Sequence, residues 1–186
     1  MSKNVLIIKG SARVGGYSNS LCDEIHNVFK DDNVTVYDAY KENPLPCTGC
    51  NYCEGAGRCV NRDLDSFFEK LEAADIVVFS SPVYNGTFTS PVKVLLDRFQ
   101  PYYTGFYANG KVQQIKKRRR AYLVVTAGRD GERPFQYMQW QLSCACSILN
   151  LELVQSFLCP FTDTEPDYDR ALSEVTRSLH NEKTQQ

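Results

Sequence analysis

The chain opens with a strand, a glycine-containing loop and a helix in direct succession. Residues 4–9 form an apolar, β-branched run that ends at Gly10. After a short polar loop, apolar residues recur at helical spacing, and we expect Ser18 to be the N-cap of the helix they predict. These apolar residues are Leu21, Ile25, Val28 and Phe29. A buried strand that leads through such a loop into a helix N-terminus is the usual geometry for binding an anionic oxygen.

The side chains of this first loop favour a phosphate group. Backbone N–H groups at a helix N-terminus have no partner within the helix, and the helix dipole is positive there. Ser11 and Ser18 add hydroxyl donors, and Arg13 adds a planar guanidinium that matches phosphate. The alternative is an ordinary strand-to-helix turn, in which glycine permits the bend and serine only caps the helix.

Strand and helix patterns alternate along the rest of the chain. Further strands are predicted at residues 34–37, 76–79, 121–126 and 151–158, with amphipathic helices between them. We expect Asp63 to cap the second main helix and residues 102–110 to form an aromatic loop. Five strands alternating with five helices predict one domain over residues 1–186, with a parallel sheet covered on both faces.

The composition limits the classes of partner. The chain has 186 residues with 21 basic and 22 acidic side chains, so nothing points to nucleic acid or an anionic membrane. No apolar run reaches the length of a membrane span and no secretory signal is apparent, so we expect a soluble, cytoplasmic protein. The basic run at 116–120 is expected to be a solvated lead-in to a strand, and Trp140 to lie in the core or an interface.

Eight cysteines are unlikely to form disulfides in a reducing compartment. Four of them are scattered among apolar neighbours, and we expect these to be thiols packed in the core. They are Cys22, Cys144, Cys146 and Cys159.

Three loops are predicted to form one binding site. In open parallel sheets, ligands bind beyond the carboxyl ends of the strands, where the strand order reverses. The loops after the first, third and fourth strands should therefore converge. Residues 82–86 (Pro-Val-Tyr-Asn-Gly) and 126–128 (Thr-Ala-Gly) supply an aromatic ring, small residues and amide donors. The first loop has neither the nucleotide triphosphate nor the dinucleotide fingerprint, and the combination favours FMN, a flat ring system with one phosphate.

Two motifs resemble a known family. Gly10-Ser11-Ala12-Arg13-x-x-Gly16-Tyr17-Ser18-x-x-Leu21 is similar to the first motif of the NAD(P)H-dependent FMN reductases, with Tyr17 where asparagine is usual. Residues 80–86, followed by Lys93, Leu96, Asp97 and Arg98, resemble the second motif. The resemblance runs from Val5 to about Gly128. It implies a flavodoxin-like three-layer sandwich, with the five parallel strands in the order 2-1-3-4-5.

The resemblance also implies a set of cofactor-binding residues. Ser11, Arg13, Tyr17 and Ser18 would hold the FMN phosphate. The isoalloxazine ring would lie along Pro82, Val83, Tyr84, Asn85 and Gly86, and Thr126 and Gly128 would close the pocket. NAD(P)H would be the cosubstrate, and quinones, nitro or azo compounds or free flavin would be the small-molecule electron acceptors. No catalytic protein nucleophile or base is required, because the flavin carries the chemistry.

The remaining cysteines form a compact motif in a loop at 44–62. Cys47, Cys50, Cys53 and Cys59 have the spacing C-x2-C-x2-C-x5-C. Four thiolates are what a [4Fe–4S] cluster requires, whereas structural zinc more often takes two separated C-x2-C pairs. Packed or reactive thiols without a metal are the third interpretation.

This cysteine spacing is similar to that of the iron–sulfur flavoproteins, a branch of the same superfamily. That resemblance implies a homodimer or homotetramer that carries electrons from a ferredoxin-like donor to an acceptor. An FMN-dependent reductase and an iron–sulfur electron carrier are therefore the two leading hypotheses.

Overall fold

The computed structural model describes residues 2–108, 110 and 115–184. The strands are β1 (Asn4–Lys9), β2 (Asn33–Asp38), β3 (Ile76–Pro82), β4 (Arg119–Thr126) and β5 (Leu151–Cys159). The helices are α1 (Tyr17–Val28), α2 (Ala39–Glu42), α3 (Tyr52–Ala56), α4 (Asp65–Ala73), α5 (Ser90–Asp97), α6 (Gln100–Ala108), α7 (Glu132–Ile148) and α8 (Tyr168–Thr184).

The five strands form one parallel sheet in the order β2-β1-β3-β4-β5. This confirms the predicted flavodoxin-like arrangement. The central strand β3 is buried along nearly its whole length, whereas the edge strand β2 is mostly half-exposed. The order reverses between β1 and β3, so a ligand site is expected where the loops after these strands separate.

Successive residues of each strand contribute to opposite faces of the sheet, and two apolar clusters result. Leu6 and Ile8 of β1 pack in one cluster with apolar residues of α4, α5 and α7. Val5 and Ile7 pack in the other cluster with α1 and α8. The sheet is therefore the middle layer of three, and no helix in the described part of the chain could cross a bilayer.

Two predicted helix caps are wrong. Helix α1 begins at Tyr17 with Gly16 as its N-cap, and Ser18 is buried inside the first turn. Helix α4 begins at Asp65 with Leu64 as its N-cap, and neither cap makes a side-chain hydrogen bond. In both cases the side chain that was expected to cap the helix instead bonds to a side chain far away in sequence. Ser18 pairs with Thr126, and Asp63 pairs with Arg98.

The predicted aromatic loop at 102–110 is also wrong over most of its length. Helix α6 runs from Gln100 to Ala108, with Pro101 in its first turn, where a missing N–H costs nothing. Tyr102 is buried and donates its hydroxyl to Glu72 at 2.6 Å. Asn109, which the prediction included, lies outside the described residues.

Three further predictions about single side chains need correction. Cys22, Cys146 and Cys159 are buried as expected, but Cys144 is exposed on α7. Trp140, also on α7, is 61% exposed and stacks on Tyr137, so the core alternative is wrong and the interface alternative stays a prediction. Within the basic run, Arg119 is only 1% exposed because it is the first residue of β4 and its guanidinium donates to the backbone carbonyls of Leu71 and Leu149.

Candidate functional site

The loop after β1 packs closely against β3 and α5. A Cβ atom at Gly10 would lie 2.5 Å from both the Ser80 carbonyl oxygen and Val92 Cγ2, so glycine is required for this approach. The Thr89 hydroxyl donates to the Gly10 carbonyl at 2.8 Å. The start of the loop is therefore held against the neighbouring strand and helix.

The same loop then turns into α1. The Gly16 N–H donates to the Arg13 carbonyl at 3.1 Å, and Gly15 has a φ of 75°, which favours glycine. The Ser11 hydroxyl is buried and accepts from the Arg13 N–H at 3.3 Å. The guanidinium of Arg13 is exposed, with no acidic partner in the described part of the chain. Ser11 and Arg13 therefore remain the candidate anion-binding side chains of this loop.

The loop after β3 forms a tight hairpin. Tyr84 and Thr87 exchange two backbone hydrogen bonds of 2.9 and 3.1 Å. Asn85 and Gly86 between them have φ values of 49° and 82°, as two-residue hairpin turns require. The Val83 N–H donates to the Thr126 carbonyl at 2.8 Å. The hairpin is thereby fastened to the end of β4.

The end of β4 is in turn joined to the start of α1. The hydroxyl oxygens of Ser18 and Thr126 lie 2.6 Å apart, and both residues are buried. The loops after β1, β3 and β4 therefore meet, as the fold predicted.

One cavity of about 510 Å³ lies where these loops meet. This volume is in the usual range for a cofactor or small-molecule site. Its lining residues are Ser11, Arg13, Gly15, Gly16, Tyr17, Ser18, Ser20, Pro82, Val83, Tyr84, Thr126, Gly128, Thr162, Asp163 and Tyr168. Nine of the eleven predicted flavin-site residues are among them. Asn85 and Gly86 are not, and serve to close the hairpin instead.

A second pocket, of about 200 Å³, lies in the cysteine-rich loop. All four predicted ligands, Cys47, Cys50, Cys53 and Cys59, line it together with Arg98. Over the described residues, no three His, Cys, Asp or Glu side chains converge to hold a single metal ion. A zinc site needs such convergence, whereas the four thiolates of a [4Fe–4S] cluster bind four separate iron atoms. Four cysteines that line one pocket are the donor set that a [4Fe–4S] cluster requires.

The two pockets differ in their charged groups. The cavity of about 510 Å³, called the flavin-type cavity below, contains one basic side chain, Arg13, and one acidic side chain, Asp163, among its described lining residues. The cysteine pocket contains Arg98, whose side chain is fully buried and paired with Asp63. Burial opposes ionisation of Asp63, but the hydrogen bonds from Arg98 and the Leu45 N–H outweigh it and lower the Asp63 pKa.

Comparison with protein families decides the class of this chain. The model of the family described as NADPH-dependent FMN reductase matches residues 3–147, more than half of the chain. The chain belongs to the NADPH-dependent FMN reductase family. The match covers the loops after β1, β3 and β4 and the cysteine-rich loop.

Relatives of this FMN reductase family member carry two kinds of name. An iron–sulfur flavoprotein of Methanocaldococcus jannaschii is 34% identical over 111 residues, which are 58% of each chain. An FMN-dependent NADPH-azoreductase of Staphylococcus haemolyticus is 33% identical over 99 residues, which are 50% of each chain. The chain spans about half the length of the curated relatives it matches.

Solved structures share the fold over nearly the whole chain. An azoreductase from Bacillus anthracis superposes with a TM-score of 0.70 at 19% identity, covering 97% of this chain and 100% of that one. An NAD(P)H:quinone oxidoreductase from Methanothermobacter marburgensis gives 0.70 at 15% identity, with coverages of 100% and 98%. These similarities establish the flavodoxin-like fold of this reductase family member.

The structure adds cavity residues that the sequence reasoning missed. Thr162, Asp163 and Tyr168 come from the loop after β5 and the start of α8. The Tyr168 ring lies 5.4 Å from that of Tyr17, between centroids. Burial and nearby acidic groups raise the Tyr168 pKa, so its phenol stays protonated and can donate. The one available signal was positional, because the loop after β5 also lies at the carboxyl edge of the sheet.

Proposed function

We propose that the chain is an NAD(P)H-dependent oxidoreductase that holds FMN in the cavity of about 510 Å³. This proposal depends on one observation, which is that the loop after β1 meets the hairpin at 82–86 and the end of β4 at this cavity. One side of the cavity offers donors for an anion, and the other offers the aromatic side chain of Tyr84. Membership of the FMN reductase family supports the same assignment.

The side chains divide between the two ends of the cofactor. Ser11, the exposed Arg13 guanidinium and the N-terminus of α1 would hold the phosphate, because all of them present N–H or O–H groups. Val83 and Tyr84 would lie along the ring, held in place by the Val83–Thr126 backbone hydrogen bond. Gly128 has no side chain, and Asp163 occupies the space that a Cβ there would need.

Bound FMN would supply the redox chemistry, namely hydride acceptance from a nicotinamide and one- or two-electron transfer to an acceptor. The protein's role is to position the ring, to exclude water from part of it and to leave one side open. Tyr17 and Tyr84 are both about two-fifths exposed at the mouth of the cavity. Their rings offer apolar surface to flat partners, so we propose NAD(P)H as donor and quinones, nitro or azo compounds or free flavin as acceptors.

Titration with FMN tests this proposal directly. Purified full-length protein should quench flavin fluorescence at a stoichiometry of one FMN per chain and should melt at a higher temperature when FMN is present. The loaded protein should then oxidise NADPH or NADH in the presence of menadione or an azo dye. Absence of both quenching and a melting shift would refute the flavin site.

A second function, electron transfer through a [4Fe–4S] cluster, is favoured by the pocket that all four loop cysteines line. The thiolates of Cys47, Cys50, Cys53 and Cys59 would hold the cluster, which would supply a one-electron store beside the two-electron flavin. Relatives named iron–sulfur flavoproteins support it. A ferredoxin-like protein would then be the electron donor.

Iron analysis separates the two functions. Anaerobically purified protein with a cluster should contain about four iron and four sulfide per chain, and this content should be lost in Cys47→Ala or Cys50→Ala. Cys144→Ala is the matched control, because Cys144 is exposed on α7 and does not line the pocket. Flavin absorption without iron in the wild-type protein would refute the cluster and support only the reductase function. Stoichiometric zinc would also refute the cluster.

We also propose that the protein works in the cytoplasm as a homodimer or homotetramer. All eight cysteines are free thiols, as a reducing compartment requires. The stacked, exposed pair of Tyr137 and Trp140 offers aromatic surface of the kind enriched in interfaces. Light scattering of wild-type protein and of Trp140→Ala would test the assembly.

A further inference from the structure

Arg98 joins the two ends of the cysteine-rich loop. It follows α5 directly and its side chain is completely buried. One terminal nitrogen, Nη1, donates to the Leu45 carbonyl at 2.6 Å, before the first cysteine. The other, Nη2, donates to the Asn61 carbonyl at 3.0 Å, after the last cysteine. A single guanidinium therefore closes the loop at its base.

Asp63 completes this closure. Its carboxylate accepts from Arg98 Nη2 at 2.8 Å and from Nη1 at 3.3 Å, and it also accepts from the Leu45 N–H at 2.9 Å. The loop base is thus held by five hydrogen bonds among four residues, none of which is a cysteine. These bonds involve no cysteine sulfur, so the loop base is closed by groups other than the four candidate cluster ligands.

One donor of Arg98 is left over. A guanidinium has five N–H groups, four on the terminal nitrogens and one on Nε. Both terminal nitrogens are engaged, whereas Nε is buried and has no hydrogen-bond partner among the described residues. A buried donor without an acceptor is costly, and such a group calls for an explanation. An acceptor that binds in the adjacent pocket would supply one.

Arg98 itself lines the cysteine pocket, and it is the charged residue among the described residues that do so. The Cys59 side chain lies within hydrogen-bonding reach of the Arg98 guanidinium. The sulfur atoms of a bound cluster carry negative charge and accept hydrogen bonds, and such bonds are a main determinant of cluster reduction potential.

We propose that Arg98 is the positioning residue of a [4Fe–4S] site on Cys47, Cys50, Cys53 and Cys59, closing the loop through Asp63 and donating its Nε–H to a cluster sulfur. This inference rests on the cluster-containing function proposed above. Lysine cannot replace arginine in this role, because an ammonium group on a flexible stem cannot reach both loop ends, the carboxylate and a sulfur together.

The test uses the full chain loaded with FMN and reconstituted anaerobically with iron and sulfide. Arg98→Lys and Asp63→Asn are compared with Arg62→Met, which removes an exposed arginine of the same loop that pairs on the surface with Asp65. Iron retention against a chelator is measured first. Both test variants should lose iron at about 10- to 100-fold lower chelator concentration than wild type, and Arg62→Met should match wild type.

The midpoint potential of the cluster, followed by EPR during a redox titration, distinguishes a hydrogen bond from Arg98 to the cluster from a general loosening of the cysteine-rich loop. Arg98→Lys loses the N–H to sulfur and should make the potential more negative. Asp63→Asn removes a negative charge near the cluster and should make it more positive. A shift in the same direction for both variants, or no shift, would overturn the role of Nε–H, since a loosened loop alone gives no opposite signs.

The outcomes also separate this inference from the proposed functions. Wild-type protein that binds FMN but takes up no iron refutes the cluster, and Arg98's role with it, while the reductase function stands. Wild-type protein that takes up iron, with Arg98→Lys indistinguishable from Arg62→Met in retention and potential, refutes only the role of Arg98. If Arg98→Lys does not fold, the iron retention of Asp63→Asn tests the loop closure, because retention equal to that of Arg62→Met would refute the role of the Arg98–Asp63 pair.

Discussion

The hydroxyl oxygens of Ser18 and Thr126 lie 2.6 Å apart, although 108 positions separate the two residues. Ser18 is in the first turn of α1 and Thr126 is the last residue of β4. Helix α1 follows β1, and β3 lies between β1 and β4 in the sheet. This hydrogen bond therefore joins β4 to the helix that follows a strand with which β4 does not pair. It joins the start of α1 to the end of β4 at the lining of the flavin-type cavity.

Removing this hydrogen bond should destabilise the fold and weaken FMN binding. Ser18→Ala leaves the buried Thr126 hydroxyl without its partner and should lower the free energy of unfolding by about 1 kcal/mol, measured in urea. Thr126→Val and the double variant complete a cycle in which the coupling should also be about 1 kcal/mol. Ser143→Ala, whose hydroxyl donates to the Trp140 carbonyl within α7 and lies outside the cavity lining, is the control. Additive effects would contradict the pairing.

Gly10 should tolerate no larger side chain. Its missing Cβ would meet the Ser80 backbone oxygen and Val92, so Gly10→Ala should cost about 1–3 kcal/mol of unfolding free energy. Gly55→Ala provides a matched control, since nothing lies within 4 Å of the corresponding position in α3. That variant should be neutral or more stable, because alanine favours helix. Equal melting temperatures for the two variants would refute the tight packing at Gly10.

Losing the Asp63 carboxylate should be more harmful than losing the nearby Asp65 carboxylate. Asp63→Ala leaves Arg98 buried without its counter-ion and should cost about 3 kcal/mol. Asp65→Ala removes half of an exposed pair with Arg62 and should cost less than about 1 kcal/mol. Chemical unfolding of both variants at neutral pH measures the difference, and similar losses would show that the Arg98 pair is no stronger than a surface pair.

The same ion pair should give an acid-dependent stability. Burial raises the Asp63 pKa, but the hydrogen bonds from Arg98 and Leu45 lower it more, so the net shift is downward. Stability from this carboxylate is therefore fully present above its ordinary pKa of about 4 and is lost as the pH falls through the lowered value. Unfolding measured between neutral pH and the acid limit should fall less steeply in Asp63→Ala than in wild type.

Arg13 should contribute to FMN affinity but not to folding. Its exposed guanidinium has no acidic partner in the described part of the chain, so Arg13→Ala should leave the melting temperature of the unliganded protein unchanged. Loss of a charged hydrogen bond to phosphate should raise the FMN dissociation constant about 10- to 100-fold. Arg133→Ala, exposed at the start of α7 and outside the cavity, is the control. Riboflavin, which lacks the phosphate, should bind both variants equally.

Cysteine reactivity should follow burial rather than position in the sequence. Burial raises the pKa of Cys22 to about 11 and that of Cys146 to about 12, so at pH 8 few of these thiols are thiolates. Exposed Cys144 should therefore be alkylated by iodoacetamide much faster than Cys146, two residues away. Peptide mass spectrometry reads each site, and denatured protein should be labelled at all eight. Rapid labelling of native Cys146 would contradict its burial.

A parallel sheet covered by helices on both faces could be predicted because its determinants are local and repeat along the chain, whereas the flavodoxin-like strand order was implied by the resemblance to the FMN reductases. A run such as Val5 to Ile8 must bury both faces, and a stripe such as Leu21, Ile25 and Val28 must bury one side of a helix. Glycine at residue 10 and the Asn85–Gly86 pair mark turns by their own conformational freedom. The three loops and nine of the eleven predicted flavin-site residues therefore came together at one cavity.

The partners of polar side chains could not be predicted in the same way. Ser18 and Asp63 both have the local features of helix caps, yet each bonds a side chain far away in sequence. Arg119 lies in a basic run that was expected to be exposed to solvent, yet it is buried and its guanidinium donates to two backbone carbonyls. A hydrogen bond of this kind has no periodic signature, since it depends on which distant groups the fold brings within reach.

Local patterns were enough to predict the succession of strands and helices, the edge of the sheet where a ligand is expected and four candidate thiolate ligands. The folded chain was needed to show that Thr162, Asp163 and Tyr168 complete the flavin-type cavity and that Arg98 closes the cysteine-rich loop. Hydrophobic periodicity acts within one element, whereas polar pairing joins elements that meet only after the sheet has formed.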